Sequence, residues 1–256
     1  MSGIRTRCRR WGDESTRALN RAVVPALIER RFGAGTANPA ALRHVAVYRK
    51  LGIAFNRIKK NANSTSVVLL HQLETGITAN EREAKLASLH LEKMPWTCWP
   101  ELGRWSFVVV VRDPHSRVLS AFMNKFAKSK YVDAFGAYEI SPAGFAKFVR
   151  WLADGGIESD PHWDLQRKLM LLPLEKYDEV IRFETYGAQM RDLLQRKGVA
   201  PSSTIDALIG HADGRPLRAA DEKQASFYTP ELRALVRELY RADFEALGYP
   251  LGGASS

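Results

Sequence analysis

The five residues at 107–111, Phe-Val-Val-Val-Val, are the longest uninterrupted apolar run in the chain and constrain its fold more than any other feature. Four of the five are β-branched, which favours a strand, and the lack of alternation implies that both faces of that strand are covered. A membrane-spanning helix needs roughly 20 apolar residues. No membrane span is therefore expected. The run stops at Arg112-Asp-Pro114, where Asp113 can cap a helix and Pro114 can occupy its first position. Strand, sharp turn and helix to about residue 128 is the expected unit.

Other segments repeat this alternation. A helix is predicted over 16–31, with Leu19, Val23 and Leu27 at four-residue steps and a stop at Gly33 and Gly35. Short strands at 44–48 and 53–58 lead into a polar loop, then a helix with Leu69, Leu70 and Leu73 on one face, ending near Gly76. Residues 80–93 read as a helix whose Leu86 and Leu89, with Met94, form a packed face. Residues 95–105 read as an irregular aromatic connection. Further helices are expected at 141–154, around Met190 and Leu194, and at 229–246, with a strand at 179–183. Strands alternating with helices imply an α/β fold with a mostly parallel central sheet.

Charge divides the chain unevenly. Residues 1–60 carry 14 Lys and Arg against 3 Asp and Glu, so the formal net charge of +10 belongs to that end. Such asymmetry fits an anionic partner of some kind. With only Cys8 and Cys98, neither a disulfide framework nor a zinc site of paired cysteines can be built, and a reducing, cytoplasmic setting is expected. No secretory signal pattern follows the basic start. Residues 1–45 read as a basic helical appendage, 46–250 as the main domain and 251–256 as a flexible tail.

Ligands of open α/β sheets bind beyond the carboxyl ends of the strands, which directs attention to two polar strand-to-helix junctions. The first, Arg57-Ile-Lys-Lys-Asn-Ala-Asn-Ser-Thr-Ser66, combines lysines, hydroxyls and a helix start, as an anion site requires. It is no Walker A loop, and its plain alternative is a solvated basic turn with Ser64 as a helix cap. The second junction ends the buried strand with Arg112 and sets Arg117 and Ser120 three residues apart on a helix, where a phosphate could be forked. Its plain alternative is that both arginines pair with surface acids. The Asn63-Ser-Thr65 glycosylation tripeptide belongs more naturally to the loop. No HExxH, GxSxG or GxGxxG occurs, and no metal site is expected.

Ile58-Lys-Lys-Asn-Ala-Asn-Ser-Thr-Ser66 resembles the 5′-phosphosulfate loop of the carbohydrate sulfotransferase family (sulfotransferase family 2). Val110-Val-Arg-Asp-Pro-His-Ser-Arg-Val-Leu-Ser-Ala-Phe122 resembles its 3′-phosphate motif. Asp160-Pro-His-Trp-Asp-Leu-Gln166, Val180-Ile-Arg-Phe-Glu184 and the closing segment from Tyr228 to Tyr249 are similar to further family segments, in the same order. The resemblance implies a P-loop-like three-layer α/β/α fold and an O-sulfotransferase using 3′-phosphoadenosine 5′-phosphosulfate as co-substrate, with a hydroxyl, on a carbohydrate, as acceptor. Lys59 stands where the family commonly has proline, and Lys60 is taken as the loop lysine.

On that resemblance Lys60 meets the charge growing on the departing phosphate, and Asn61, Ser64, Thr65 and Ser66 offer donors to the 5′-phosphate. Arg112 and Ser120 hold the 3′-phosphate, while Arg117 either assists or buttresses the helix. His162 is the candidate base, beside Trp163 as a possible sugar platform; its plain alternative is a structural histidine tied to Asp160 or Asp164. His71 is a weaker alternative base, and Glu184 receives no role. The competing readings are a basic nucleic-acid-binding module, which no recognised motif supports, and a nucleotide kinase, which the missing Walker A opposes. No nucleic-acid partner is expected.

Overall fold

The computed structural model describes residues 2–213 and 224–251, with side chains for 14–210 in the first span. A five-stranded sheet has the order β3-β1-β2-β4-β5, formed by β1 (Val45–Tyr48), β2 (Ile53–Asn56), β3 (Leu89–His90), β4 (Ser106–Val111) and β5 (Glu179–Arg182). The ladders β2·β4 and β4·β5 are parallel, whereas β1 runs antiparallel to both β2 and β3. The sheet is therefore mixed rather than mostly parallel. The turn between Tyr48 and Ile53 is too short for a crossover helix, so β1 and β2 can pair only as a hairpin.

The apolar run occupies the middle of the parallel part. Phe107, Val109 and Val111 pack with Val45, Val47 and Ala54 under α1 (Ser2–Phe32). Val108 and Val110 face Leu69 and Leu70 of α2 (Asn63–Thr75), with Tyr186, Met190 and Leu194 of α8 (Tyr186–Arg196). Both faces of β4 are covered, as an unbroken apolar strand demands. A third cluster joins α4 (Pro114–Lys125), α6 (Pro142–Ala153), α10 (Pro230–Leu239) and α11 (Arg241–Leu247) around Trp163, which is fully buried. Further α-helices are α3 (Glu81–Ala87), α5 (Ser129–Phe135), α7 (Gln166–Leu169) and α9 (Ser203–Asp213).

Four expectations change. Residues 24–42 do not stand apart from the main domain, because Val24, Ile28, Ala41 and Leu42 belong to the same core cluster as β1 and β4. The buried stripe of α1 also lies one residue on from the expected one: Asn20, Val24 and Ile28 are buried while Leu19 is exposed. Asn20 explains this register, since its amide donates to the carbonyls of Glu92 (3.1 Å) and Met94 (2.8 Å) and accepts from Trp99 Nε1 (3.0 Å). The helix expected over 80–93 ends at Ala87, where the chain turns extended into β3 and leaves Leu86 exposed. The expected last helix breaks at Tyr240 into α10 and α11. From residue 252 onward, the tail expected at 251–256 lies outside the described residues.

Candidate active site

The carboxyl ends of β2, β4 and β5 point to one end of the sheet, and the two polar junctions meet there. After β2 the backbone of Lys60 (φ 72°) and Ala62 (φ 50°) enters the left-handed region, which is unusual for residues other than glycine. The pair of turns brings the chain back beneath the start of α2. Ala62 offers that helix no side-chain cap, so Ser64 is not its cap but lies inside the first turn. The first helical bond runs from the Ser66 N–H to Ala62 O at 2.9 Å. Preceding it, the N–H groups of Asn63, Ser64 and Thr65 have no acceptor among the described residues, and the helix dipole adds positive potential. An oxyanion is what such an end lacks.

The junction after β4 is built differently. Asp113 caps α4 by accepting from the Ser116 N–H (2.9 Å), and Pro114 fills the first helical position. This junction therefore presents a side chain rather than bare backbone. Arg112 Nε donates to Ser116 Oγ (2.8 Å), Nη1 donates to Lys60 O (2.9 Å), and the guanidinium lies 3.9 Å from the centroid of Phe183. The guanidinium is thus fixed against the loop that carries Lys60. Ser120 is half-buried, one turn beyond Ser116 on the same face of α4.

Arg117 is a buttress. It is fully buried and donates only to backbone carbonyls: Lys59 (3.1 Å), Asp164 (2.7 Å) and Pro161 (3.2 Å). Among the described residues Arg117 forms no ion pair with a surface acid, against the plain reading. One side chain instead ties the lysine loop to the turn bearing His162. Burial pushes this guanidinium below its ordinary pKa, opposed chiefly by the buried carboxylate of Asp243.

At that turn, Asp160 accepts from both the backbone N–H (2.8 Å) and Nδ1 of His162. With its proton held on Nδ1, the ring has its lone pair on Nε2, the arrangement that a general base requires. Burial lowers the pKa of His162, Asp160 raises it, and Lys125 and Lys59 lower it. The same contact satisfies the plain structural reading, so the hydrogen bond alone does not separate the two. Tyr131 from α5 lies edge-on to the imidazole, with centroids 5.9 Å apart. Trp163 is no sugar platform: it has 0% exposure, donates to Gly156 O (3.1 Å) and packs among the rings of Phe126, Phe148 and Trp151. His71 is buried on α2.

Two loop residues turn their side chains into the fold. Asn61 is 1% exposed, and its amide donates to Val110 O (2.8 Å) and Gln166 Oε1 (2.6 Å). Its side chain anchors the loop to β4 and is not directed at a ligand. Ser66 is fully buried, with its N–H bonded to Ala62 and its hydroxyl beside that of Tyr186 (3.0 Å). Its polar groups are engaged inside the fold. Asn63 is buried and accepts from Arg57 (3.2 Å), which removes it as a glycosylation acceptor and keeps it in the loop.

Gln166 emerges as the joint between the junctions. Its Oε1 accepts from Asn61 and from the Arg112 N–H (3.1 Å), its Nε2 donates to Arg112 O (2.8 Å), and its own N–H donates to Asp243 (2.7 Å). Asp243, fully buried, also accepts from the Arg167 N–H (3.0 Å). Glu184 finds its place here as well, accepting from the Asp113 N–H (2.9 Å) and the Tyr249 hydroxyl (2.9 Å). The sequence signal for Gln166 is its place at the end of the family-like segment 160–166, and that for Asp243 is a charged residue between the apolar Ala242 and Phe244.

The class this defines is an α/β protein with two strand-end junctions side by side, one offering backbone donors and the other a guanidinium. A model of the sulfotransferase family matches residues 43–250, most of the chain, and the chain belongs to that family, whose chemistry is sulfuryl transfer. No curated protein and no solved structure matches. Among the described residues no helix is long and apolar enough to cross a membrane.

Proposed function

We propose that this protein transfers a sulfuryl group from 3′-phosphoadenosine 5′-phosphosulfate to a hydroxyl group, and that the hydroxyl belongs to a carbohydrate. The single observation carrying this reading is that Arg112 donates to the Lys60 carbonyl while Arg117 ties the same loop to the turn of His162. Two anion-binding junctions and a candidate base thereby share one frame. The bare start of α2 suits the 5′-phosphate, with Ser64 and Thr65 in its first turn, and Arg112 with Ser120 suits the 3′-phosphate.

In the transfer step, the acceptor oxygen bonds to sulfur as the bond from sulfur to the 5′-phosphate oxygen breaks. The acceptor proton passes to Nε2 of His162. Charge left on the phosphate oxygen is met by Lys60, as in other displacements governed by position and electrostatics. Tyr131, half-buried next to His162, replaces Trp163 as the aromatic surface for a sugar.

Isothermal titration with adenosine 3′,5′-bisphosphate tests the donor half. Binding that is weakened by Arg112→Ala is expected; no binding, or binding undiminished in that variant, overturns it. A labelled-donor screen over glycans and simple alcohols tests the acceptor half. Transfer unchanged in both Lys60→Ala and His162→Ala would remove the assigned roles.

A further inference from the structure

Beside the lysine loop, on the side away from Arg112, the ends of three strands bring together basic groups that the transfer reaction does not use. β1 pairs Val45 with Asn56 of β2, so His44 and Arg57 are adjacent, and the Arg57 N–H donates to His44 O. β3 pairs His90 with Ala46, adding a second imidazole. Arg57 is 7% exposed. Its Nε donates to Asn63 Oδ1 and its Nη1 lies 2.9 Å from His90 Nε2, and among the described residues Nη2 has no protein acceptor.

The polarity of the cluster is one-sided. His90 Nδ1 lies 2.7 Å from the Arg43 carbonyl, so its proton sits there and Nε2 accepts from Arg57. His44 Nε2 accepts from Arg43 Nε (3.1 Å). Burial and the neighbouring cations lower the pKa of His44 to about 4 and also lower those of His90 and Lys59. The nearby carboxylates are engaged elsewhere, Glu81 with Lys85 and Glu92 with Arg21. Among the described residues no carboxylate forms an ion pair with Arg57. A guanidinium this deeply buried, against one imidazole and within electrostatic reach of a second and of a lysine, is costly unless something anionic joins it.

Resting on the sulfotransferase reading, we propose that His44, Arg57, Lys59 and His90 form an oxyanion subsite, occupied by an acidic group (carboxylate, sulfate or phosphate) carried by the acceptor. The donor is a less suitable source, since its two phosphates already have the α2 start and Arg112. Lys59 joins this cluster to the candidate base, because it acts electrostatically on both Arg57 and His162. An acceptor held here by its charge would extend from the cluster towards His162.

The test uses the full chain saturated with adenosine 3′,5′-bisphosphate and inorganic sulfate as probe, followed by the histidine ring signals in NMR. Saturable sulfate binding that shifts His44 and His90 is expected, with affinity falling about tenfold or more in Arg57→Gln and in Lys59→Gln, the scale of a lost charge-assisted hydrogen bond. Lys59→Gln alone decides the matter if the buried variant does not fold. Absent shifts at both histidines, or binding indifferent to the substitutions, would overturn the subsite. Displacement of sulfate when the intact phosphosulfate donor replaces the bisphosphate would assign the cluster to the donor and overturn the acceptor assignment. Failure of the bisphosphate itself to bind would condemn the donor reading instead, leaving the sulfate result to be read separately.

Discussion

The junctions after β2 and β4 solve the same problem in opposite ways. After β4, Asp113 and Pro114 complete the start of α4 within the protein, and Arg112 supplies the charge. After β2, two left-handed residues lead into a helix that no side chain caps, leaving backbone donors for a ligand. A helix start can be stable or receptive, and this fold keeps one of each. Gln166 and Arg117 hold the receptive junction against the stable one, through Asn61 and the Lys59 carbonyl.

Removing the charge from each junction in turn gives the largest effects. Lys60→Ala should lower the transfer rate by roughly 10²–10³, the usual consequence of losing one group that stabilises developing charge. Bisphosphate affinity should change much less, because the departing phosphate is most negative in the transition state. Single-turnover rates beside titration of the bisphosphate would separate the two effects; equal losses in both would make Lys60 an ordinary binding residue. Arg112→Ala should instead act on binding, weakening the bisphosphate by about 10–100-fold for the lost charged hydrogen bonds. A larger loss in rate than in affinity would reverse the roles assigned to the two junctions.

The pH profile gives a smaller effect. His162 has its pKa lowered, first by burial, from an ordinary value of 6.5. A base with a lowered pKa is already neutral above that lowered value, so transfer should be lost only as pH falls through a midpoint below 6.5 and should be flat above it. Asp160 raises the pKa of His162, so Asp160→Asn should move the midpoint lower still. The plateau should also drop about tenfold as the ring loses its charged partner. An acid limb that stays put in His162→Gln would show that another group titrates.

Much of this was legible in the chain itself. The unbroken run at 107–111, bounded by Arg112 and Asp113, specified a strand covered on both faces and a capped helix after it, and local chemistry suffices for both. The antiparallel β1 was not legible as such, because strand direction depends on connection length and partner, not on the composition of four residues. Asn61 and Ser66 looked like ligand donors because they are polar residues of the lysine-bearing loop. Their burial follows from tertiary partners, Val110, Gln166 and Tyr186, that lie far away in sequence. Trp163 misled for the converse reason, since a tryptophan beside a candidate base serves equally well as core, and five neighbouring rings made it so.

The smallest effects test the comparison most directly, because they alter the helix starts without touching a charge on the ligand side. Ala62 holds φ 50°, a conformation that costs a residue with a Cβ about 1 kcal/mol and glycine little. Ala62→Gly should therefore leave the fold within about 1 kcal/mol of its stability, relief of the turn being offset by greater freedom in the unfolded chain. Bisphosphate binding should persist, since the donors belong to the backbone. Asp113→Ala removes a side-chain cap and should cost about 1 kcal/mol in a denaturant titration. If phosphate recognition is divided as the geometry indicates, the exposed start of α4 gains no anion affinity in that variant, because Arg112 remains tied to Ser116 and Lys60. Tighter bisphosphate binding in Asp113→Ala would mean that the second junction also uses bare backbone, and the contrast between the two would fail.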